Sequence, residues 1–120
     1  MNINTKMYAY VFGIAFVVAG VLGFVPYVVM DGYLFGLFMV GTVHNIIHLV
    51  TGAVALYVTT KVEYAKLFFK VFGVIYAVVA FVGFVNGGDV YVMHVNAADN
   101  YLHVVVALVA LYVGFVKKEE

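Results

Sequence analysis

The charges of this chain are gathered into a few short clusters, and between them run uncharged apolar stretches over residues 7–30, 32–60, 71–88 and 100–116. Each approaches or exceeds the roughly 17 to 20 residues that carry a helix across a hydrocarbon core about 30 Å thick. A backbone in lipid must satisfy its own hydrogen bonds. A helix does so within one segment, and these runs lack the alternation of a membrane strand. The expected fold is an all-α integral membrane protein, a four-transmembrane-helix bundle forming a single membrane domain over 1–120. Breaks fall at Pro26 and Asp31-Gly32, across the lysine-bearing segment 61–70, and at Asn86-Gly87-Gly88-Asp89. The long second run is expected to open with an interfacial portion at residues 33–38. The first run is read as a span, since it is too long for the apolar region of a secretory leader and lacks a small-x-small cleavage site.

Composition agrees and narrows the function. The chain is 67% hydrophobic and 10% charged, where a soluble domain is about half apolar and about a quarter charged. Six lysines against six acids leave no basic surface for nucleic acid, and the lack of Cys excludes a disulfide scaffold. Ser is missing as well, so two usual nucleophiles are gone, and no phosphate loop or dinucleotide fingerprint is present. A non-enzymatic protein is expected.

The lysines also orient the chain. Lys6, then Lys61, Lys66 and Lys70, then Lys117 and Lys118 all fall on one side of the runs, with Asp31, Asp89 and Asp99 on the other. Cytoplasmic segments carry the lysine excess, which places both termini and the middle connection in the cytoplasm of a prokaryotic cell bounded by this membrane. Nine of the ten tyrosines lie near the run boundaries, where amphipathic rings favour the headgroup level; Tyr76 lies deeper.

The two halves of the chain are alike. Phe12-Gly13 and Gly23-Phe24-Val25 return sixty residues later as Phe72-Gly73 and Gly83-Phe84-Val85, while Asn45 and His48 return at an offset of 55 as Asn100 and His103. Repeat one is taken as 7–60 and repeat two as 67–116. Both start on the lysine side, so a duplicated helical hairpin with a parallel pseudo-two-fold axis along the membrane normal is expected. His48, Gly52, Ala55 and Thr59 form one stripe at helical spacing, and His103, Ala107, Ala110 and Gly114 form its counterpart. Small residues allow close helix approach in lipid. The second and fourth helices are therefore expected to face each other at the centre, with Gly13, Gly20, Gly73 and Ala80 packing the other two around them.

The repeat places the few intramembrane polar residues at one depth. At about 1.5 Å per residue, His48 and His103 lie on the order of 20 Å from Lys61 and Lys117. His44 and Asp99 stand one turn further out, beside Asn45 and Asn100. Ionisable groups in a membrane are costly and usually face one another or a cavity. Three readings follow. In the leading one, Asn45, His48, Asn100 and His103 form a hydrogen-bonded structural cluster, in a protein working as an interaction or assembly module without a cofactor. In the second, His44, His48, Asp99 and His103 bind a metal, zinc first, with copper or nickel next. In the third, His48 and His103 are axial ligands of haem b. His94 stands apart and is expected at the interface. Membrane lipids are the expected partners, together with a second copy or another membrane protein.

Two polar motifs inside this apolar context carry a family resemblance: Asn45, His48, Leu49 and Gly52 in the second run, and Ala98, Asp99, Asn100, Leu102 and His103 opening the fourth. In these the chain resembles the bacterial membrane family called domain of unknown function 4383 and, more loosely, the DoxX-like four-helix membrane proteins. It departs in having Val104 after the second histidine. The resemblance implies the fold and the membrane placement, and no mechanism.

Overall fold

The structure, a computed structural model, describes residues 4–118. Most of them lie in four helices: α1 Thr5–Leu22, α2 Thr42–Val58, α3 Val62–Val85 and α4 Ala97–Leu111, the last running on as a π-helical turn over Tyr112–Val116. α1, α3 and α4 with its π turn are long and apolar enough to cross a membrane. α2 has 17 residues and so reaches only about 25 Å. The surface is inverted relative to a water-soluble domain. Val11, Val18, Val78, Phe81 and Val105 point outward, while His44, Asn45, Asp99, Asn100 and His103 are buried. That distribution suits a protein whose surroundings are lipid.

Two boundaries differ from those read off the charges. α3 starts at Val62, so Lys66 and Lys70 lie inside a helix. Lysine is a good helix former, and its long stem lets the ammonium reach the interface from within a helix. The second run is divided. Its first part joins the end of the preceding run in an antiparallel meander of β1 Val29–Met30, β2 Tyr33–Leu34 and β3 Phe38–Met39. Asp31 and Gly32 both take positive φ, 53° and 85°, as the two-residue turn of a tight hairpin requires. The segment expected to be merely interfacial is therefore a small sheet, and α2 begins only after it.

The helices pack as hairpins. α1 lies along α2 and α3 along α4, with smaller contacts of α1 and α2 on α3. α2 and α4 do not pack along each other as expected, although His44 of α2 comes near His103 of α4, because their small residues serve a different interface. A Cβ on Gly52 would sit 2.6 Å from a Val17 methyl of α1, and one on Gly114 would sit 2.7 Å from the backbone nitrogen of Lys70 on α3. Gly13 and Gly73 are matched in the same way to Leu56 and Leu111. The space between hairpins is filled by rings instead. Phe12 and Phe16 of α1 meet Phe69 and Phe72 of α3 edge to face, with Phe12–Phe69 at 5.1 Å and Phe16–Phe72 at 5.4 Å between centroids. At the lysine end, Lys66 Nζ donates to the Lys117 carbonyl, tying α3 to the end of the π turn.

Candidate functional site: a histidine-lined cavity

Both connections at the end away from the lysines deliver a polar residue to the third position of a helix. In α4, Asn96 caps the helix. Its Oδ1 accepts from the Asp99 amide at 2.9 Å, while the Asp99 carboxylate accepts from the Asn96 amide at 3.1 Å. This reciprocal box satisfies two helix-end donors. It also gives Asp99 a structural partner, which the sequence reading of Asp99 as a free ligand had not foreseen. In α2, Gly41 caps without a side-chain bond, and His44 occupies the third position. The Met39 backbone lies beside both His44 and Asp99, so β3 bridges the two helix starts.

The imidazoles converge there. His44 and His48 are 4.4 Å apart between ring centroids, and His44 and His103 are 6.2 Å apart. His48 meets Phe16 edge to face at 5.2 Å, and His103 meets Tyr76 at 5.3 Å. His44, His48, Asp99 and His103 all line one cavity of about 280 Å³ whose remaining wall is apolar. The meander roofs it with Leu34, Phe35 and Phe38. Asn96 Nδ2 donates to the Leu37 carbonyl at 2.8 Å, fastening that roof to α4.

The asparagines go elsewhere. A Cβ on Gly23 would collide with the Asn45 side chain, and one on Gly83 would collide with that of Asn100. Each asparagine is thus seated against a glycine of its own hairpin. The hydrogen-bonded Asn/His cluster expected from sequence is not formed: Nδ1 of His48 and His103 and Oδ1 of Asn45 and Asn100 are buried without a hydrogen-bonding protein partner, and His44 has the Met39 backbone as a polar neighbour. The helical face was legible from spacing, but the tight glycine seats hold the amides away from the imidazoles. Among the described residues no group of three or more His, Cys, Asp or Glu is arranged to hold a metal ion. His94 is exposed, bridged to Asp89 and outside the cavity.

Residues 6–116 match the family model described as Domain of unknown function (DUF4383). The chain belongs to that family. No curated protein and no solved structure matches it. For this DUF4383 protein, four of the cavity's functional groups were legible in the sequence as intramembrane polar residues. Phe16, Met39 and Asn96 were missed. Asn96 had a signal, since Asn followed three residues later by Asp before an apolar run is a helix-start signature. Phe16 had one too, lying sixty residues before Tyr76.

Proposed function

We propose that this is a non-enzymatic integral membrane protein that holds a small ligand in its histidine-lined cavity, within the outer part of the bilayer. In this reading the chain crosses four times as two duplicated hairpins. The lysine end, with both termini, faces the cytoplasm, and the meander covers the short α2 on the outer side. Three pairs of contacts at the repeat offsets support the duplication: Phe16–His48 with Tyr76–His103, Gly23–Asn45 with Gly83–Asn100, and Gly13–Leu56 with Gly73–Leu111. Lipid covers the apolar outer faces, and association with a second copy or another membrane protein is open to crosslinking in native membranes.

The observation that supports the ligand reading is that two of the histidines lining one cavity, His48 and His103, keep a buried ring nitrogen without a hydrogen-bonding protein partner. A purely structural cluster satisfies its own members, because each buried unsatisfied polar group costs about 1–3 kcal/mol. Groups retained at that cost serve something other than stability. The test is the double variant His44→Leu with His103→Leu. Its thermal stability in detergent is expected to equal or exceed that of the natural chain. A clear drop would mark the imidazoles as structural and overturn the reading. A metal is the alternative the sequence raised, and the described residues do not group three ligands for it. Elemental analysis of protein purified from membranes decides it, and a stoichiometric zinc or copper would replace the organic ligand. A Soret band would do the same for haem b, although a cavity of about 280 Å³ is below the ~300 to 1,000 Å³ of drug-sized pockets and suits one or two rings better than a macrocycle.

A further inference from the structure

The chemistry of the cavity wall restricts what it can hold. Its apolar part includes the rings of Phe16, Phe38 and Tyr76 and the side chains of Leu102 and Val106, with Ala15 and Ala19 of α1 leaving room beside them. Ring-lined walls favour a ring-shaped occupant. Its polar part is three imidazoles and Asp99. A neutral imidazole offers one donor and one acceptor, so the cluster can donate to a carbonyl oxygen or accept from a hydroxyl. Charge argues against an anion. All six lysines belong to the opposite end of the helices, and the one carboxylate on the wall, Asp99, accepts from the Asn96 amide through a single oxygen. An anion buried here would lack a counter-charge and face that carboxylate, which is costly in a low-dielectric site.

The roof adds a separate observation. Phe35 lines the cavity from the β2–β3 connection with φ of 55°, a left-handed conformation that a bulky residue rarely takes. Such strain is stored preferentially at ligand clamps and switch regions.

We propose that the cavity binds a membrane-soluble compound of one or two fused rings bearing a hydroxyl or carbonyl oxygen, with the ring against Phe16 and Tyr76 and the oxygen on the imidazoles. This rests on the ligand reading given above and names the class of ligand. The test uses the full chain in nanodiscs, with 1-naphthol as the probe and naphthalene as its oxygen-free counterpart. Saturable naphthol binding is expected, about tenfold tighter than naphthalene, the worth of one or two hydrogen bonds. In the His44→Leu/His103→Leu variant that advantage is expected to vanish while naphthalene binding persists, which reports an intact cavity. Equal binding of the two probes to the natural chain, or no saturable naphthol binding, overturns the proposed class. If the variant is nevertheless at least as stable as the natural chain, only the class falls. If the variant is less stable, the ligand reading falls with it.

Discussion

Gly23 caps α1 and Gly83 lies in the last turn of α3, each at the point where an asparagine of the next helix needs its missing side chain. Gly23 has ordinary helical backbone, φ −62°, so its value lies in space and not in conformational freedom. Substituting Ala at either position forces the Asn45 or Asn100 side chain from its seat, and each variant is expected to lose about 1–3 kcal/mol, as overpacking typically costs. Reversible unfolding in mixed micelles measures it, and a neutral result at both would refute the glycine–asparagine seat. The histidines behave differently, since trimming their polarity is expected to cost nothing in stability. Which residues were unusual was legible in the sequence, because polar groups in an apolar run are conspicuous. Their partners were not, because helical spacing gives a face and a depth without giving the neighbour.

Between residues and bundle, the meander is the element that makes a cavity out of a helix cluster. It is short, and its attachment to α4 runs through Asn96, which both caps the helix and donates to Leu37. The two roles can be separated. Asn96→Ala is expected to cost about 1 kcal/mol through the lost cap. Asn96→Ser keeps a capping oxygen but shortens the donor arm, so the helix should hold while the roof loosens. Hydrogen exchange reads the difference: faster exchange at the Phe35 and Val40 amides in both variants, with α4 amides affected only in the alanine variant. Unchanged exchange at Phe35 and Val40 would remove the Leu37 bond from the account. The Asp31-Gly32 turn was visible as a break in the sequence. That it opened a sheet was hidden by an apolar run whose composition suits helix and strand alike.

Across the whole molecule, the longest dimension is 45 Å, matching the ~40–45 Å of a bilayer with its headgroups. The proposed orientation predicts a clean labelling pattern, and the natural absence of Cys makes single-cysteine variants unambiguous. Cysteine at Asp31 or Asp89 should react with a membrane-impermeant thiol reagent in intact cells. Cysteine at Lys61 or Lys118 should react only after the membrane is opened, and the opposite pattern would invert the topology. By itself the sequence determined the number and order of apolar runs, the side of them on which the lysines fall and the internal likeness of the halves. These are one-dimensional quantities, length, charge position and repetition. Only the tertiary structure decided that small residues close each hairpin instead of joining α2 to α4, that aromatic rings separate the hairpins, and that the imidazoles share a roofed cavity without bonding one another. Those outcomes depend on which faces meet, and in lipid, where no hydrophobic force selects among apolar faces, shape complementarity makes that choice.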